Sequence, residues 1–224
     1  MLALILAAAA LYVWGLARLW RRAGAGRGIG LAHSACAAAG FVALLFALES
    51  PLHEMAEKRL WAHMIQHEVL MVVAAPLLVL GRPAQALAFV VPLRLPRWLA
   101  DPLLAWTLHA AAIVFWHMPS AFAAALANPW LHFAQHASFF VTGLLFWWTL
   151  DRRLAAMASL FATMMYTGAL GALMALARYP WYAGYALEDQ QLAGLVMWIP
   201  AGLAYPLAAL FIGWQWLRRS AAHS

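Results

Sequence analysis

The chain has 224 residues, of which 67% are hydrophobic and 10% charged, with a mean hydropathy of +0.78, thirteen tryptophans and a formal charge of +6. A water-soluble domain of this length could not keep that much apolar surface out of water, so the composition excludes one and identifies an integral membrane protein. The basic residues fall at the ends of apolar segments and not along one stripe, which argues for membrane anchoring and against nucleic acid. The single cysteine, Cys36, lies inside an apolar run, so there is no disulfide framework and no Cys-x-x-Cys clip. A metal site would have to use His, Met, Asp or Glu.

Residues 2–20 are apolar, have no basic stretch before them and are followed by Arg18, Arg21, Arg22 and Arg27. That is the reverse of a cleavable signal peptide and predicts a retained span with its N-terminus outside. A second span, 29–50, is built of small residues such as Ala37, Ala38, Ala39 and Gly40 that let helices approach closely. The polar stretch Leu52 to Arg59 reads as an outer loop or short surface helix, and a third span runs over about 61–80 until Gly81-Arg82-Pro83 stops it. From there to Asp101, three prolines, Arg82, Arg94 and Arg97 accompany an amphipathic core, as expected on the inner surface.

A fourth span covers 102–118, and the uncharged piece Ser120–Pro129 is expected to return along the outer face. A fifth, 130–150, ends on Asp151-Arg152-Arg153, and a sixth, 155–177, ends at Arg178. Tyr179-Pro180-Trp181-Tyr182 has the composition of an interfacial belt, to which the other tryptophans are also assigned. The seventh span, 190–217, follows Glu188-Asp189 and ends at Arg218-Arg219.

The expectation is therefore an all-α polytopic membrane protein, with residues 1–224 forming a single bundle of seven transmembrane helices of roughly 20 residues each. With the N-terminus outside and the C-terminus cytoplasmic, the inner side holds Arg18, Arg21, Arg22, Arg27, Arg82, Arg94, Arg97, Arg152, Arg153, Arg218 and Arg219. The outer side keeps only Lys58, Arg59 and Arg178. That asymmetry obeys the positive-inside rule.

His63 and His67 stand four apart at the start of the third span, and His132 and His136 repeat the spacing in the fifth. Residues four apart share a helix face, and imidazole in an apolar span marks a functional site. In the expected topology both pairs lie just below the outer surface, and His117 reaches the same level from the fourth span. Facing imidazoles on packed helices can share an ion, and imidazole suits copper, zinc, iron and nickel. Met64, Met71 and Met118 flank the cluster, and thioether sulfur favours Cu(I), although methionine is also ordinary filler in apolar helices. Any one of these histidines alone could simply satisfy a carbonyl or a headgroup. Two matched pairs plus a fifth favour a metal site.

Other polar groups have blander readings. His53 and His223 are expected to be solvated, His33 lies at the inner end of the second span, and His109 sits two turns deeper than His117 and about 80° round the helix, as a buried hydrogen-bonding residue. Glu68 reads either as a carboxylate that fixes a histidine tautomer or as a group facing a polar crevice. Glu188 or Asp189 is expected to cap the seventh helix. Auxiliary roles at the metal are open to Glu68, Asp189, Met64, Met71, Met118 and His53.

Several motifs together resemble a known family: His63-Met-Ile-Gln-His67-Glu-Val-Leu-Met71 followed by Ala-Ala-Pro-Leu-Leu-Val-Leu-Gly81, then Trp116-His117-x-Pro119, Asn128-Pro-Trp-Leu-His132-x-x-x-His136 and Glu188-Asp-Gln-Gln-Leu-Ala-Gly-Leu-Val-Met-Trp-Ile-Pro200. Over about residues 50–217 the chain resembles the multi-spanning CtaG family of cytochrome c oxidase assembly proteins. The resemblance implies a multi-pass protein of the bacterial plasma membrane that supports maturation of haem-copper oxidase by supplying copper to its buried site. By motif it carries over His63, His67, His117, His132, His136 and Asp189. The sequence departs at Gln135, where relatives commonly carry an acidic residue.

The resulting expectation is a metallochaperone and not an enzyme. It would receive Cu(I) from a periplasmic donor or from solvent, hold it at the outer face and pass it to the oxidase subunit carrying the buried copper site. The sequence is compatible with a homodimer. Alternatives are a zinc-dependent membrane hydrolase of lipid amides, with Glu68 or Asp189 as base, a haem-binding electron-transfer protein with opposed histidines, and a purely structural scaffold.

Overall fold

The computed structural model describes residues 1–90, 96–150 and 153–221. Arg94, Arg152 and His223 lie outside them. The described chain is all-α: 84% is helical and no strand occurs. In order come α1 (Leu2–Ala23), α2 (Leu31–Glu49), α3 (Pro51–Ala56) and α4 (Leu60–Glu68). A π-helical segment, Val69–Ala74, joins α4 to α5 (Ala75–Leu80), followed by the short α6 (Pro83–Leu87) and a 3-10 turn, Arg97–Ala100. Then come α7 (Pro102–His117), α8 (Pro119–Ala127), α9 (Pro129–Trp148), α10 (Arg153–Ala175) and α11 (Leu187–Ala221).

Five helical stretches are long and apolar enough to cross a membrane: α1, α2, Leu60–Leu80, Leu154–Ala175 and Leu187–Arg218. A sixth is added if α7 and α8, bent by 77° at their junction, are one span. α9 has the length of a span at 20 residues, but His132, Gln135 and His136 lower its hydropathy. Leu4, Leu31, Leu154, Leu210 and Leu217 are all more than 60% exposed, an apolar exterior suited to lipid and not to water. The piece expected to return along the outer face is largely helix α8, which Pro119 starts and which buries Phe122 and Ala125.

Local chemistry sets the breaks. Arg82 takes a left-handed φ of 55° just after α5, and Pro83 then starts α6 at a position where no backbone donor is needed. Asp101 and Asn128 cap α7 and α9 by accepting from Leu104 N and Trp130 N. The small residues of α2 divide by face: Ala37 and Gly40 are buried against Gly81 and Leu78, whereas Ala38 and Ala39 are exposed. α10 and α11 also pack closely: a methyl on Gly171 would stand 2.8 Å from the Gly194 carbonyl oxygen. Gly171→Ala is therefore expected to cost about 1–3 kcal/mol by overpacking. Gly202→Ala, in a helical position with nothing within 4 Å, should be neutral or gain up to about 1 kcal/mol. Thermal unfolding in detergent measures both.

The main core joins Leu60, Met64, Met71, Ile113, Phe122, Phe139, Met174 and Met197, drawn from α4 with its π-helical extension and from α7 to α11. Met64 and Met71 are packed there with 1% and 2% exposure, while Met118 lies at the α7–α8 corner, 42% exposed.

Candidate metal centre

α4 presents His63 and His67 one turn apart, with ring centroids 4.4 Å from each other. α9 runs alongside with His132 and His136, also at 4.4 Å. Across the helix pair, His63 meets His132 at 5.4 Å and His136 at 5.8 Å, and His67 meets His136 at 5.4 Å. Ligand nitrogens of His63, His67 and His136 all lie within 4.8 Å of one another. One ion about 2.0 Å from each nitrogen would then need only small ring rotations.

The electrostatic state of this trio is unusual. All three rings are at most 2% exposed; among the described residues the nitrogens of His67 and His136 have no hydrogen-bond partner, and His63 has Gln135 and the Ala56 backbone as polar neighbours. Phe122 stacks edge-on against His63 at 5.1 Å and Phe139 against His67 at 4.5 Å, so the site is walled by hydrocarbon. An unsatisfied buried polar group costs about 1–3 kcal/mol. Three imidazoles brought together at that cost form a donor set for a borderline or soft cation, and no carboxylate belongs to the group.

His117 stands beside the trio, 6.0 Å from His67. Its Nδ1–H donates to the Ile113 carbonyl at 2.7 Å, which leaves the lone pair on Nε2, buried and unpartnered. A backbone carbonyl that fixes the tautomer in this way is what orients a ligating histidine. Tyr182 adds a second support by donating its hydroxyl to the His117 carbonyl at 2.8 Å. Burial pushes the Tyr182 phenol pKa up, so it remains a donor. Tyr182 is thus no interfacial belt residue, unlike Tyr179, which is 70% exposed. Two tryptophans also serve internally: Trp147 donates to the Met71 carbonyl within the π-helical segment at 2.7 Å, and Trp116 donates to Ser138 at 2.8 Å.

Two sequence expectations change. His53 is not a freely solvated loop residue. Its Nδ1 meets Gln66 Nε2 at 3.1 Å and its ring lies 6.1 Å from His132. It therefore extends the histidine chain toward a chamber of about 500 Å3 lined by His53, Glu57 and His132. Asp189 does not cap its own helix. Its two oxygens accept from Leu60 N at 3.1 Å and Trp61 N at 3.2 Å, capping α4, whose N-cap Arg59 supplies no side chain. Glu188 is exposed. Glu68 is buried, leaves Oε2 without a partner and has Tyr205 of α11 as its electrostatic neighbour.

His109 behaves as expected, sharing a hydrogen bond with Thr142 Oγ1 at 3.0 Å. Gln135 is fully buried as the polar side-chain neighbour of His63.

A family model described as cytochrome c oxidase caa3 assembly factor (Caa3_CtaG) matches residues 10–219, and the chain belongs to that family. No curated protein and no solved structure matches the chain.

Proposed function

We propose that this assembly-factor family member carries copper in the bacterial plasma membrane and hands it to the cytochrome c oxidase subunit that holds the buried copper. The observation that carries the reading is the buried trio of His63, His67 and His136, whose ring nitrogens converge within 4.8 Å beside Phe122 and Phe139. Neutral imidazoles suit Cu(I), with His117 and His132 as neighbours that accept or release the ion. Copper is cargo here, received from solvent or a periplasmic donor through the chamber at His53 and His132 and released sideways to the partner subunit. The chain acts as a carrier and not as an enzyme. A lipid hydrolase would want a carboxylate base at the metal, but Asp189 is engaged at Leu60 and Trp61 and Glu68 faces Tyr205. Haem would have to enter among rings already 4.4–6.0 Å apart and backed by Phe122 and Phe139.

The proposal includes seven crossings, with α9 as the fifth and the histidines at the outer face. The outward N-terminus and cytoplasmic C-terminus rest on the arginine asymmetry. A reporter fused after Ser224 should be active only when it reads the cytoplasm, and activity outside would overturn this topology. Elemental analysis of protein purified without added metal tests the cargo. Copper near one equivalent or more supports the reading, whereas zinc alone or no metal contradicts it.

A further inference from the structure

α1 and α9 flank an apolar cleft floored by Phe41, Leu44 and Leu48 of α2, with a volume of about 370 Å3. It follows α1 from Met1 to Tyr12 and α9 from Phe133 to Leu144, about 17 Å of helix on each side. At the end where α1 begins, the cleft shares Met1 and Phe133 with the polar chamber of about 500 Å3 that holds His53, Glu57 and His132. Each volume is that of a small-ligand site. Together they are an amphipathic pair, one long apolar slot opening into one hydrogen-bonding chamber.

The chamber's chemistry selects the head group. Gln66 gives one amide hydrogen to the Ala47 carbonyl at 2.6 Å and the other to His53 Nδ1 at 3.1 Å, so His53 keeps its own N–H on Nε2. Glu57 supplies an acceptor and a negative charge within electrostatic reach of His132. Among the described residues no lysine or arginine lines the chamber, and the amino group of Met1 is paired with Glu49 at 3.5 Å. A phosphate head would meet Glu57 without a counter-charge. A neutral head that both accepts and donates hydrogen bonds fits. We propose that cleft and chamber form one binding site for an isoprenoid quinol, whose hydroxyls both donate and accept, its tail between α1 and α9 and its head against His53, Glu57 and His132. The site does not require copper, but it adjoins the histidine chain at both parts: His136 lines the cleft, and His132 in the chamber lies 4.4 Å from His136 and 5.4 Å from His63.

The test uses the full chain in phosphatidylcholine nanodiscs with a short-chain ubiquinol, kept reduced, as probe, and reads saturable binding. Ala8 lines the cleft and is exposed, so Ala8→Phe adds bulk there without repacking the core. The parent should saturate at one equivalent, Ala8→Phe should weaken binding by about tenfold or more, and Glu57→Gln should weaken it by a smaller factor. Leu210→Phe, on the exposed face of α11, should bind like the parent. No saturable binding in the parent, equal binding in Ala8→Phe and the parent, or displacement by equimolar phosphatidylglycerol would each overturn the proposal. Copper measured in the same samples should be unchanged in Ala8→Phe. Quinol binding without copper would defeat only the copper reading, and copper without quinol binding only this one.

Discussion

His67→Ala and His136→Ala should each remove most copper binding, with an affinity loss on the order of 100-fold or more, because even a residue that merely supports a ligand typically accounts for about 10–100-fold. Both belong to the three-imidazole group, and one comes from α4 and the other from α9. The double variant should be little worse than either single one, since removing one ligand from a shared site already destroys it. His117→Ala should have a milder effect because its ring stands 6.0 Å from His67, beside the trio. His109→Ala should leave binding intact, because His109 already has Thr142 as a partner, and so should His33→Ala, at the far end of α2. In cells the first two variants should keep the protein at normal abundance yet lose cytochrome oxidase activity, with partial rescue by excess copper. Parent-like binding would refute the shared site. Loss of the protein itself would mean that these histidines only stabilise packing.

The histidine pairs were legible because a four-residue spacing needs no tertiary knowledge: residues on one face of a helix meet wherever that helix goes. Their convergence could be inferred from the arginine tally, which set the depth of each span. The division within the cluster was not legible. Separating His63, His67 and His136 from His117 and His132 depends on how α4, α7 and α9 rotate about their own axes. α4 also runs into a π-helical segment, Val69–Ala74, that no residue pattern announces. The methionines show the same limit. Met64 and Met71 flank the histidines in sequence, yet both are packed in the core with Ile113 and Met197. His53 was misread because its partner, Gln66, belongs to a different helix, and the bond between them is what joins α3 to the cluster.

Asp189 illustrates the remaining kind of illegible contact, one that spans 129 positions, and it carries the second large prediction. Its carboxylate accepts from the first two backbone donors of α4, the helix that bears His63 and His67, and it is 8% exposed. Negative charge at a helix N-terminus is favourable, and hydrogen bonds to a charged acceptor are worth about 1.5–3 kcal/mol each. Asp189→Ala would leave both donors unpaired in a buried setting, and should cost about 2–4 kcal/mol when the cap and the stranded donors are taken together. Thermal unfolding should fall accordingly, and copper affinity with it, because the first turn of α4 holds His63 in place. Asp189→Asn keeps one acceptor oxygen and should retain most of both properties. The pair of variants separates two roles for this carboxylate. A residue that positions α4 loses stability and metal together and is largely rescued by asparagine. A direct copper ligand would lose metal in both variants with the unfolding temperature unchanged, and that result would reassign Asp189 to the metal itself.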